Sequence, residues 1–397
     1  MYEHGDIAHN LYTGHGFAMH WPYESLDSAR RYMIANLPPD HEGAFIPPLN
    51  PYLIYGSYLI FGQTPKAVLA LMIFYALISS LVPLVTFQAS RLLASETAAR
   101  YTAVLSMIFI PAAYAVITFS GAPLYHILGI TIVYVALLLS RTIQYKYAVL
   151  LGLLCGLMTM VRSEFLILGM IVIAITSFIT KKRSFSDKLK VALVSACCAV
   201  FMIAPWTLRN YSLFGKVVPV LSHPWYEIWR GNNEYVAASS LTDKPTYIWI
   251  DPRLFPSVVR QMDALAYDVQ FETKVNEIFK AETIAFTSAH LGSTAYLALK
   301  KILFLFTFDF SDKNAYHPVN ILFSLLLTGC IVAGFFSISG LDRTTKWLFL
   351  SLFIYYLGIT ISTFVLPRYQ SYIQTLLLPI AALAFNSLPS PTLREQS

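Results

Sequence analysis

The sequence predicts an all-α polytopic membrane protein, with about nine transmembrane helices and a large extracytoplasmic loop domain. Three observations carry this reading. Hydrophobic residues fill 56% of the 397 positions and charged residues only 13%, about half the charged share of a soluble domain. The apolar residues gather in runs approaching the roughly 20 residues that cross a bilayer as helix. The basic residues concentrate in the short loops that alternation places on one side. The net charge of +6 is thus a topology signal and argues against a nucleic-acid surface.

Residues 1–50 are polar and rich in His, Pro and Tyr, and residues 51–62 are apolar but too short to span, so 1–62 reads as an outer N-terminal loop ending in an interfacial or re-entrant helix. Nine apolar runs follow, near 66–90, 101–117, 123–140, 147–161, 165–180, 191–207, 319–339, 347–366 and 372–388. The first six make a transmembrane core over 63–207. Residues 208–318 are polar and form the extracytoplasmic domain, and 319–397 hold the C-terminal transmembrane helices and a cytoplasmic tail. Cys155, Cys197, Cys198 and Cys330 lie inside apolar runs without metal-ligand spacing and read as small core residues.

Lys and Arg orient the chain. With the loop 181–190 (KKRSFSDKLK) in the cytoplasm, Arg91, Arg100, Arg141, Lys146, Arg343 and Lys346 also fall inside, and the short outer loops keep only Arg162 and Arg368. This parity requires two helices over 147–180, joined by an outer turn at Arg162-Ser163-Glu164. It also places 1–50 and 208–318 outside, and so predicts a further helix upstream of Met1. No internal repeat of the kind found in many transporters is evident.

The outer segment reads Ile7-Ala8-His9-Asn10-Leu11, then Gly14-His15-Gly16-Phe17, then Pro47-Pro48-Leu49-Asn50-Pro51. Further on stand the Gly-rich stretch Gly152 to Glu164, Pro205-Trp206-Thr207-Leu208-Arg209-Asn210-Tyr211, Trp229-Arg230-Gly231-Asn232-Asn233 and Arg368-Tyr369. In this order they resemble the polytopic type C glycosyltransferases, bacterial relatives of protein O-mannosyltransferases and of lipid A aminoarabinose transferase. The resemblance implies transfer of a sugar from a polyprenyl-phosphate donor to a lipid, glycan or protein acceptor at the outer face of a bacterial inner or plasma membrane. It implies no organic cofactor and leaves a divalent metal open. In that family the catalytic acid sits further upstream of the Ile-Ala pair than Glu3 does, before Met1 here, so the chain as written is expected to transfer little without an N-terminal extension.

Glu3 and Asp6 are the acids available to deprotonate or orient the acceptor. Arg209, Arg368 and Arg162 are the cations placed to meet a lipid phosphate. Glu164 and Lys66 are acceptor-binding or structural. Asp40 and Glu42 read as polar loop, and the early histidines, with no motif spacing, as loop residues; no metal site is assigned. Trp206, Trp225, Trp229, Trp249, Tyr226 and Tyr235 read as interface anchors or domain core rather than sugar platforms. The rival readings are a transporter or flippase of a lipid-linked substrate, which calls for repeats and charges buried in mid-helix, and an O-antigen ligase or polymerase, which lacks the Pro-Pro-Leu-x-Pro match.

Overall fold

The computed structural model describes residues 3–19, 42–142, 144–180, 184–241, 246–251, 253–266, 268–307 and 318–386. Asp40 and His41, read above as polar loop, lie outside them. The elements are α-helices: α1 Glu3–Thr13, α2 Leu49–Phe61, α3 Pro65–Ser80, α4 Val82–Arg91, α5 Glu96–Met107, α6 Ile110–Thr118, α7 Ala122–Arg141, α8 Tyr145–Val161, α9 Phe165–Ala174, α10 Phe185–Phe214, α11 Pro224–Arg230, α12 Glu234–Ala237, α13 Pro256–Asp263, α14 Phe271–Ala289, α15 Leu291–Phe306, α16 Pro318–Phe336, α17 Arg343–Ser362 and α18 Pro367–Leu377. A π-helical turn prolongs α9 and a 3-10 segment, Leu378–Leu383, prolongs α18. Among the described residues the extended structure is one isolated bridge, Ala18 to Glu42.

Four described helices, not nine, are long and apolar enough to cross a bilayer by themselves: Pro65–Arg91 (α3 and α4 together), Ala122–Arg141, Phe185–Phe214 and Arg343–Ser362. Three more, Tyr145–Val161, Phe165–Ile179 and Ile321–Phe336, are apolar but shorter. The remaining runs depart from the expected spans for two physical reasons. Run 101–117 is broken into α5 and α6 around Phe109; Pro111, in the first turn of α6, has no N–H to donate to the carbonyl of Met107 and so cannot continue α5. Run 372–388 falls on α18 and its extension, whose Gln370, Ser371, Gln374 and Thr375 are all buried. Gln374 donates to Ser324 Oγ at 3.0 Å and Thr328 Oγ1 at 3.0 Å on α16. This segment lies inside the bundle, where polar side chains are satisfied by protein.

The turn at 162–164 does separate two helices. A Cβ added at Gly169 on α9 would lie 3.2 Å from Cys155 Cβ on α8, seven residues to either side of Arg162, so the two form an antiparallel hairpin. Cys155 is buried in it, whereas Cys197 on α10 is exposed, contrary to its reading as a core residue. The Gly-rich stretch has a packing role. Gly152 and Gly156 stand one helical turn apart and bring α8 onto α10, where a Cβ at Gly152 would sit 2.2 Å from Ser195 O and one at Gly156 2.7 Å from Ala199 O. Ser195 Oγ seals the contact by donating to Ala148 O at 2.9 Å. Small residues spaced four apart permit this approach in a membrane. Gly152→Leu is therefore expected to separate the helices and cost about 1–3 kcal/mol or more; thermal unfolding in detergent checks this, and an unchanged midpoint would contradict the packing.

Helix α10 has 30 residues and so is about 45 Å long, longer than the roughly 30 Å hydrocarbon layer. It is long enough to span that layer. Ser184 caps the basic end, accepting from Asp187 N. At the other end Trp206 Nε1 donates to Val220 O at 2.7 Å and Asn210 Nδ2 to Val218 O at 3.0 Å, which turns the chain into the polar region. There Tyr226 and Trp229 of α11 pack on Phe279 of α14, at 4.8 Å between ring centroids in both cases, within a cluster that includes Phe45 and Ile250. These two aromatics are core residues of that region.

Candidate functional site

The N-terminal segment is built to hold α1 in place. Asn10 Nδ2 donates to Ala18 O at 2.8 Å, and the chain reverses through Gly14 and Gly16 at φ +88° and +76°, values that favour glycine. A Cβ at Gly16 would run into Glu42. Phe17 then packs edge-on against Trp206 at 4.7 Å. Asn50 of the Pro-rich motif is buried; it donates to Phe119 O at 3.0 Å and accepts from Tyr75 OH, fixing α2 against α3 and the end of α6. These motif residues thus shape the scaffold that presents the first turn of α1.

That turn carries Glu3 and His4. The charges that act most on Glu3 are Glu227, Arg368 and Arg230; on His4, Arg368 and Arg162. Arg368 acts on both residues, so the first turn of α1 lies within electrostatic reach of the start of α18, with Glu3 also feeling α11 and His4 the α8–α9 turn. Glu3, His4 and Arg162 are partly buried and Arg368 is exposed. Burial first, and Glu227 second, push the Glu3 carboxyl above its ordinary range, against Arg368 and Arg230. Burial, reinforced by the two guanidiniums, drops the His4 imidazole to about 3, so it is neutral at physiological pH.

The two arginines differ in their attachments. Arg162 Nε donates to Glu164 Oε1 at 2.7 Å, with its guanidinium 4.8 Å from the Tyr369 ring centre and 5.3 Å from that of Tyr372. Tyr355 OH donates to Glu164 O at 2.5 Å, holding the turn from α17. Arg368 lies over the Tyr369 ring at 5.4 Å and, among the described residues, has no carboxylate within ion-pairing distance. Beneath it Ser371 Oγ donates to Arg368 O at 2.6 Å and shares a 2.9 Å hydrogen bond with His126 Nε2.

Arg230, which sequence reasoning did not assign a role, is the α11 cation that acts on Glu3. Its side chain is 6% exposed and paired with Glu227 at 3.1 Å, and its guanidinium lies 3.8 Å from the Trp249 ring centre and 4.7 Å from that of Phe364. Gly231 allows this placement, since a Cβ there would strike Thr363 O. Lys301 Nζ donates to Asn232 Oδ1 and Ile361 O, both at 2.9 Å, tying the same turn to the C-terminal end of α17. The signal for this turn was the Trp229 to Asn233 motif itself.

Other expected site residues are held elsewhere. Arg209 does not extend the Arg162–Arg368 pair. Its guanidinium donates to Glu42 Oε2 at 2.7 Å and Gly43 O at 2.6 Å and stacks on Trp206 at 4.8 Å, so it anchors the N-terminal loop to α10. Glu42, read as polar loop, is its ion-pair partner. Asp6 is half-buried on α1, and Lys66 is exposed in the first turn of α3. Among the described residues no group of three or more His, Cys, Asp or Glu is placed to hold a metal ion.

This arrangement of helices has solved counterparts. The chain is similar to the Archaeoglobus fulgidus oligosaccharyltransferase tethered to an acceptor peptide with the NVT sequon, at 15% identity and a TM-score of 0.51 over 87% of this chain and 41% of that one. It is likewise similar to the archaeal oligosaccharyltransferase AglB from Archaeoglobus fulgidus in complex with an inhibitory peptide and a dolichol-phosphate, at 14% identity and a TM-score of 0.50 over 87% and 42%. The likeness is one of fold: the helices are arranged as in these oligosaccharyltransferases. The chain spans about two fifths of the length of these neighbours. No protein-family model and no curated protein matches the sequence. With this fold and its apolar helices, the chain is an integral membrane protein.

Proposed function

We propose that the chain is a membrane glycosyltransferase that moves a sugar from a polyprenyl-phosphate donor to an acceptor at the outer face. The reading is supported by a charged cluster at the first turn of α1, where a carboxyl group, Glu3, lies within electrostatic reach of Arg368, and Arg368 and Arg162 both act on the neighbouring His4. The acceptor oxygen or nitrogen attacks the anomeric carbon, and the bond from that carbon to the phosphate oxygen breaks. Glu3 takes the acceptor's proton, and the arginines stabilise the charge gained by the departing lipid phosphate. The donor is already activated, so the residues need only position and neutralise. The dolichol-phosphate and peptide bound to the archaeal neighbour make a lipid phosphate and a separate acceptor reasonable partners here, with Arg209 and Lys66 acting as anchors and Asp6 assisting Glu3 from the next turn. A transporter or flippase would also bind a lipid phosphate, and proton-coupled ones use such carboxyls too; the likeness in fold to oligosaccharyltransferases favours transfer.

The reading is tested by sugar release from polyprenyl-phosphate-linked donors in membranes containing the chain, alone and with an N-terminal extension carrying one more helix; turnover no higher than in control membranes from any such donor in both forms would sink it. Its orientation is tested separately. Reporter fusions at Ser184 and Ser239 should report opposite sides, Ser184 cytoplasmic, and agreement between them would overturn the topology.

A further inference from the structure

His4 has no role in the reaction just described, yet it stands beside Glu3 within reach of the same charges. The residue is partly buried, and its Nδ1 is sealed from solvent with no hydrogen-bond partner among the described residues. An unmet buried polar atom is destabilising, which a fold tolerates where a ligand supplies the missing partner. The strongest charges around the imidazole are Arg368 and Arg162, so the ligand that completes it is the ligand those guanidiniums attract, an anion rich in acceptor oxygens.

We propose that His4 is a third phosphate-binding residue, donating a ring N–H to the same phosphate oxygens that Arg162 and Arg368 hold. This rests on the reading of the charged cluster as a lipid-phosphate site. A neutral imidazole carries one N–H, and a half-turn about its soft χ2 torsion re-aims both ring nitrogens. Arg162 is partly committed to Glu164 at 2.7 Å, which leaves the phosphate short of donors that a nearby imidazole can supply. Neutrality has a use as well. A third fixed cation beside two guanidiniums would raise the cost of the empty site, whereas a neutral donor adds a hydrogen bond without that repulsion.

The test is direct binding of a polyprenyl phosphate to the purified full chain in nanodiscs, with polyprenol and inorganic phosphate as comparison probes and thermal unfolding as the check on folding. His4→Phe keeps the ring and removes the donor, and is expected to weaken polyprenyl phosphate binding about tenfold, equivalent to about 1.4 kcal/mol. His4→Gln, which keeps an N–H donor, should recover much of it. Arg368→Ala should weaken it more than either. If inorganic phosphate alone shows the same dependence on His4, the contact is to phosphate and does not need the lipid tail. If only the lipid form binds, the site selects a lipid headgroup, and the His4 contact stands. Equal binding by wild type and His4→Phe, with Arg368→Ala impaired, overturns this inference alone. Equal weakening of polyprenol by His4→Phe overturns it too, since the ring then packs on the chain. No polyprenyl phosphate binding by the wild type overturns it together with the reading of the site.

Discussion

Glu3→Gln is expected to lower sugar transfer by about 10²- to 10⁴-fold, the usual contribution of a positioned general base, while leaving the protein folded and membrane-inserted. Gln keeps the shape of the side chain and removes its capacity to accept the acceptor's proton. The pH dependence gives an independent check. Glu3 must be ionised to act, so transfer rises with pH through its folded pKa. Burial and the Glu227 charge raise that pKa, which places the acid limb of the rate profile above the ordinary Glu value of about 4.3. Glu227→Gln removes the like charge, lowers the pKa of Glu3 and should move the limb to lower pH. A limb that stays in place in this variant, measured as the initial rate of sugar release from a polyprenyl-phosphate donor, would show that another group titrates. Full activity in Glu3→Gln would remove Glu3 from the chemistry altogether.

Arg368→Lys should reduce transfer on the order of 10- to 100-fold with membrane insertion intact, given the roughly 1.5–3 kcal/mol of a hydrogen bond to a charged group. The charge is kept but the planar fork is lost, and a single ammonium cannot reproduce bidentate pairing to phosphate. Arg368 is the sharper test of the two arginines. Arg162 already pairs with Glu164, so changing it disturbs the α8–α9 turn as well as any ligand. Transfer by Arg368→Lys at the parental rate would reduce Arg368 to a helix-end anchor resting on Tyr369. Arg209 supplies the contrast. With its guanidinium occupied by Glu42 and Gly43, its loss would act on the N-terminal loop.

Several features were readable from local chemistry because hydropathy and charge act over a few residues. The helix ending at Gly62, the reversal at Arg162-Ser163-Glu164 and the continuous helix leading from the basic loop at 181–190 into the polar region all follow from runs of apolar residues and the cost of moving charge across lipid. The number of full spans was not readable, because an apolar run records burial without saying whether lipid or protein does the burying. Helix α18 carries Gln370, Gln374 and Thr375 inside the bundle for that reason. Nor does a motif say whether its residues act or support. Gly152 and Gly156 pack α8 on α10, and Asn50 and Gly16 shape the segment that holds α1.

What the sequence by itself determined is the class of molecule: helices in a membrane, a polar region beyond them, and a set of charges at helix ends, all consequences of solvent preference written residue by residue. What only the tertiary structure decided is which of those charges meet. Glu3, Arg162, Arg230 and Arg368 are separated by up to 365 positions in the chain, yet the fold brings the first turn of α1 within electrostatic reach of the α8–α9 turn, α11 and the start of α18. Arg209 is drawn instead to Glu42. Long-range pairing of this kind depends on helix packing and loop geometry, and electrostatic attraction selects partners only after those have brought the side chains within a few ångströms.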